Sequence, residues 1–127
     1  MYQDIKERTF RFGVRIMNLS THLPENRSGK IVGNQVLRSG TSIGANVEEA
    51  QASYSRGDFI FRMNIALKEA RETHYWLRMI KAASLVKPNK LEGLLSEADE
   101  IMRVLGSVIS KMRRNSSEGT RNICGKE

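Results

Sequence analysis

Apolar residues recur in this chain at alternating spacings of three and four in four separate stretches, and only two prolines interrupt them. That pattern describes helices with one buried stripe each and leaves no room for the strict alternation of a half-exposed strand. The last stretch is the most regular: Leu91, Leu94, Ala98, Ile101, Leu105, Val108 and Met112 keep three-four spacing over about 20 residues. The first stretch places Ile5, Thr9, Phe12, Ile16 and Leu19 on one stripe, with Leu23 a step further. Pro24 and Pro88 fall where the periodicity lapses, so each marks a junction between helices.

The second stretch aligns Val32, Val36, Ile43, Val47, Ala50 and Tyr54, but Gly33, Gly40 and Gly44 interrupt it. Glycine costs about 1 kcal/mol against alanine inside a helix, so a kink is expected near Gly40, where a second backbone can also come close. Ser55-Arg56-Gly57-Asp58 resembles a capping box with Asp in the place of Glu and starts the third helix. That helix is apolar on two sides: Phe59, Met63, Ala66, Ala70, Leu77 and Ile80 on one, Phe61, Ile65, Trp76 and Met79 on another. One stripe packs inside the bundle. The second stripe marks Phe61, Ile65, Trp76 and Met79 as a subunit interface, unless other helices of the same chain cover them.

The expected fold is therefore all-α: an antiparallel up-and-down four-helix bundle over residues 1–112, with helices near 3–22, 29–54, 57–84 and 89–112. Residues 113–127 lose all periodicity and are expected to form a disordered basic tail. At 127 residues one domain is expected, and no apolar run approaches the roughly 20 residues a membrane span needs. A cytoplasmic location fits, as does the single cysteine, Cys124, which has no disulfide partner.

Catalytic patterns are missing from the sequence. A di-metal site in a bundle needs Glu-x-x-His motifs, and Glu72-Thr73-His74 has the wrong spacing. His22 and His74 fall on different helices, and no phosphate-binding loop or nucleophile elbow occurs. Glu48 and Glu49 are adjacent, so they point to different sides of a helix. No enzymatic activity, cofactor or metal is expected.

Charge is more informative. Lys and Arg outnumber Asp and Glu by 21 to 14, for a net charge of +7, yet residues 88–110 carry four acids and two bases. The excess lies elsewhere. Arg8, Arg11 and Arg15 form a ridge on the first helix, and Arg71, Arg78 and Lys81 a looser row on the third, with Arg113 and Arg114 following the fourth. Such rows suit phosphates, because one guanidinium can bridge two phosphate oxygens. The same rows can also be solvated faces paired with neighbouring acids. In the second helix Ser42, Asn46 and Glu49 share a face with Arg38, a set suited to a structural polar network in which Arg38 reaches a carboxylate across the bundle, with Glu69 a candidate.

The run Arg38-Ser39-Gly40-Thr41-Ser42-Ile43-Gly44-Ala45-Asn46-Val47-Glu48-Glu49-Ala50 resembles the signature of the bacterial four-helix-bundle proteins encoded in 23S ribosomal RNA intervening sequences. Asp58-Phe59, the stretch from Met63 to Thr73 and Tyr75-Trp76-Leu77 are similar to the third helix of that family. The resemblance implies a bundle that assembles into a ring, typically a homopentamer, without known catalytic activity. Its distant relatives include accessory proteins of diversity-generating retroelements, basic barrels that bind nucleic acid and a reverse transcriptase. The leading expectation is a homo-oligomer that binds RNA or DNA through its basic rows. The rival is a protein-protein scaffold, docking a partner such as a polymerase, in which the charge only maintains solubility.

Overall fold

The computed structural model describes residues 2–125, with side-chain surroundings for 4–115. Four α-helices follow one another: α1 (Tyr2–Ser20), α2 (Arg27–Gln51), α3 (Arg56–Ala82) and α4 (Glu92–Gly125), the last preceded by a 3-10 turn at Pro88–Lys90. α1 packs on α2, α2 on α3 and α3 on α4, while α4 closes back on α1, so α1 and α3 are diagonal partners across the bundle. Among the described residues there is no strand.

The stripes read from the sequence form the core. Ile5, Phe12, Ile16, Leu19, Val36, Ile43, Val47, Met63, Ala66, Ala70, Leu77, Ile80 and the α4 series from Leu91 to Val108 are all buried. Burying each Val, Leu, Ile, Phe or Met of this set stabilises the fold by about 1.5–3 kcal/mol before chain entropy is counted. The ends are set locally. Asn26 Oδ1 accepts the Gly29 N–H at 2.9 Å to start α2, and Ser55 Oγ accepts the Asp58 N–H at 3.1 Å to start α3. α3 ends with Ser84 in the left-handed region (φ 52°) and the Leu85 N–H on the Ile80 carbonyl, the pairing of a Schellman turn.

Three features differ from the sequence reading. α2 is one continuous helix with no kink near Gly40, and the bend in the bundle lies in α4 instead. Gly40 is spent on contact: a Cβ there would come within 2.8 Å of Ile16 Cγ2, and one at Gly44 within 3.1 Å of the Thr9 carbonyl oxygen. These glycines let α1 approach, and the tertiary packing offsets their low helix propensity. Tyr54, aligned with the buried stripe by spacing, is fully exposed because α2 stops at Gln51. The segment expected as a disordered tail continues α4 as far as Gly125; the side chains from 116 onward, Cys124 among them, lie outside the described residues, as do Met1, Lys126 and Glu127.

The buried polar groups are paired. The hydroxyls of Ser39 and Thr73, both fully buried, are 2.9 Å apart and join α2 to α3, and Thr73 Oγ1 also reaches the Glu69 carbonyl at 2.8 Å. Thr9 donates to the Ile5 carbonyl at 2.8 Å. Among the described residues no buried side-chain nitrogen or oxygen lacks a partner.

Candidate nucleic-acid interface and polar cluster

The α1 ridge divides into two parts. Arg8 is drawn down onto α4, where Nε and Nη2 donate to the two carboxylate oxygens of Glu97 at 3.1 and 2.7 Å. That side-on fork holds the guanidinium pKa above its ordinary value against the partial burial that lowers it, and takes Arg8 out of the set of free cations. Arg11 and Arg15 remain exposed, with no carboxylate within 4.0 Å among the described residues. Sequence spacing shows the ridge but cannot show Glu97, which is 89 residues away.

Arg71, Arg78 and Lys81 are exposed along the α4-facing side of α3, in register with His74, whose Nε2 lies 3.2 Å from Asp99 of α4. Arg78 stacks over the Tyr75 ring, 5.7 Å from its centroid. Arg113 and Arg114 are exposed on α4. His22 is exposed at the end of α1, its Nδ1 3.0 Å from the Asn18 carbonyl.

The polar set on α2 is built differently from a side-chain network. Ser42 Oγ donates to the Arg38 carbonyl at 2.7 Å and Asn46 Nδ2 to the Ser42 carbonyl at 2.9 Å, so both bond back along their own helix. Glu49 is exposed and makes no side-chain bond to them. Arg38 instead bridges to α3: Nη1 donates to Glu69 Oε2 at 3.1 Å and Nη2 to Glu72. The Trp76 indole N–H donates to the same Glu72 oxygen at 3.0 Å. The Trp76 hydrogen bond first, then Arg38, hold the Glu72 carboxyl below its ordinary value against partial desolvation, while the Glu72 bond raises the Arg38 guanidinium. Thus Glu72 and His74, two residues apart, serve different neighbours: Glu72 faces α2 and His74 faces α4.

The second apolar side of α3 is only partly covered. Phe61 is 58% and Met79 43% exposed, while Ile65 and Trp76 are half-buried, Trp76 packing against the core. A second apolar face went unread in the sequence: Phe10 (68% exposed), Val14 and Met17 on α1 line a groove with Gly13, Thr41, Gly44 and Ala45. Their spacing of four and three was available as a signal, but the stronger stripe of Ile5, Phe12 and Ile16 on the same helix masks it.

Fold, capped helices and an α2 signature pinned to α3 define a small four-helix-bundle protein. The chain belongs to the family described as 23S rRNA-intervening sequence protein, whose sequence profile matches residues 2–107. It is also similar to a protein of unknown function from the S23 ribosomal protein family of Bacteroides thetaiotaomicron VPI-5482, solved at 1.70 Å. The two share 40% identity with a TM-score of 0.80, over 86% of this chain and 97% of that one. No curated protein matches the chain. Among the described residues no helix is long and apolar enough to cross a membrane, and no group of three or more His, Cys, Asp or Glu is placed to hold a metal ion.

Proposed function

We propose that this chain is a non-catalytic, cytoplasmic module that self-associates into a ring, five copies being the number the family resemblance implies, and binds RNA or DNA through its basic rows. The observation that carries the reading is the sorting of charge. Arg11, Arg15, Arg71, Arg78, Lys81, Arg113 and Arg114 have no carboxylate within 4.0 Å among the described residues, whereas Arg8, Arg38 and Arg103 are engaged by acids. A row of unpaired guanidiniums costs electrostatic self-repulsion, which a polyanion relieves while releasing its counterions. Copies related by a rotation axis multiply each row.

The test uses the full chain and a labelled RNA fragment. Affinity is expected to fall at least tenfold as salt rises from about 50 to 200 mM, which corresponds to about three neutralised phosphates or more. The Arg11→Glu, Arg15→Glu double variant should bind more weakly than the parent with unchanged helicity. No binding by the parent at 50 mM salt removes the reading, and a native mass equal to one chain at micromolar concentration removes the ring.

A further inference from the structure

Three open depressions run into one another along one edge of the bundle. The first lies between α1 and α4 and is lined by Asp4, Arg8, Arg11, Phe12, Arg15 and Glu97. Arg15 also lines the second, together with His22, Lys90 and Leu94, and His22 and Lys90 line the third, with Lys87 and the α3–α4 loop. The trough they form is electrically lopsided. At its α1 N-terminal end Arg8 and Glu97 cancel, and Asp4 adds a negative charge. From Arg11 onward it is lined by Arg11, Arg15, His22, Lys87 and Lys90 with no further acid. Glu25 and Glu92, the acids nearest this end of the bundle in sequence, line none of the three depressions.

A Cβ at Gly93 would come within 3.0 Å of Arg15 Nη2, so the guanidinium lies over the α4 main chain where a side chain would displace it. Phe12 is buried, which leaves the His22 imidazole as the exposed aromatic ring among the described residues lining the trough. With Arg11, Arg15, Lys87 and Lys90 against that one ring, the surface is richer in phosphate donors than in stacking platforms. A continuous positively charged groove that tracks a backbone is the form in which single strands are held without sequence preference. From Arg11 to the end of α1 at Ser20 the helical rise covers about 14 Å, enough for two or three consecutive phosphates.

Resting on the nucleic-acid reading above, we infer that the ligand of this surface is a single-stranded nucleic acid, held by its phosphates along the trough from Arg11 and Arg15 to Lys87 and Lys90. Arg8 is not part of that site. Binding is independent of sequence and steeply dependent on salt, with four cations giving a slope of log affinity on log salt near −2.8 for a single strand.

The experiment measures fluorescence anisotropy of labelled 12-residue oligouridylate and oligoadenylate, and of a 12-base-pair RNA duplex, with the full chain at 50–200 mM salt. Lys87→Gln with Lys90→Gln should weaken binding of both single strands about tenfold at 50 mM and bring the slope to about −1.4. Arg56→Gln with Arg103→Gln removes the same charge outside the trough and should leave affinity within twofold. If the parent binds and the lysine pair does not weaken it more than the distant pair, the trough is overturned while the broader polyanion reading stands. Tighter binding of the duplex overturns the choice of strand. Failure of the parent to bind any of the three at 50 mM overturns both.

Discussion

Glu72 shows how much one side chain can organise here. It stands between the Arg38 guanidinium of α2 and the Trp76 indole, one helical turn further along α3, and satisfies both. Its carboxyl is harder to protonate in the folded chain than in the unfolded one. The stability it supplies is therefore fully present above the ordinary value of 4.5 and is lost as pH falls through the lower folded value. With Glu72 35% and Arg38 48% exposed, solvent screens the pair, and Glu72→Gln should cost about 0.5–1.5 kcal/mol at pH 7. Gln still accepts the indole N–H, so the loss isolates the charge. Urea unfolding followed by the fluorescence of Trp76 should show parent and variant converging as pH falls below 4.5; a gap that stays constant with pH would show that the carboxylate's charge does not matter.

At the scale of elements, most of the bundle is legible because each helix carries an apolar stripe and the prolines and Ser55 mark junctions between them. What periodicity could not show was any property that depends on a neighbour. Gly40 reads as a weak point in an isolated helix, and only the position of Ile16 on α1 reveals it as a contact. Thr73 lies on the buried stripe between Ala70 and Leu77, yet its partner Ser39 is 34 residues away. The extension of α4 beyond Met112 has no apolar stripe to announce it, because stripes report packing and not helicity. Likewise the Arg38–Glu69 pairing could be anticipated from the signature, but the shared role of Glu72 could not. Gly40→Ala tests the contact reading. Overpacking of about 1–3 kcal/mol against the β-branched Ile16 should outweigh a helix-propensity gain of about 1 kcal/mol, for a net loss of up to about 2 kcal/mol. Gly106→Ala in α4, where an added Cβ meets nothing within 4 Å, should instead gain up to about 1 kcal/mol. Thermal unfolding of the two variants beside the parent reads both signs, and equal shifts in one direction would contradict the assignment.

At the scale of the molecule, the two exposed apolar faces sit on α1 and α3, helices that are diagonal across the bundle. One is a groove flanked by Phe10, Val14 and Met17 over Gly13 and Gly44; the other is a ridge carrying Phe61 and Met79. Each surface could pair with its own copy across a two-fold axis, but the two differ in shape and lie on different sides of a subunit. They can meet each other head to tail, and a head-to-tail contact either closes into a ring or grows into a filament. This gives the proposed ring a test that needs no ligand. Phe10→Glu with Met17→Glu spoils the groove, and Phe61→Glu with Met79→Glu spoils the ridge; each double variant alone should be a monomer by native mass measurement, with its helicity intact because all four positions are exposed. Mixed together, the intact ridge of the first fits the intact groove of the second, and the pair should form a one-to-one dimer that cannot extend, since the outward faces of that dimer are the two spoiled ones. An isologous contact predicts the opposite, because a face spoiled in one variant finds no complement on the other. If the parent assembles but the mixture yields no dimer, or if either double variant keeps the parental mass, the groove and the ridge are not partners.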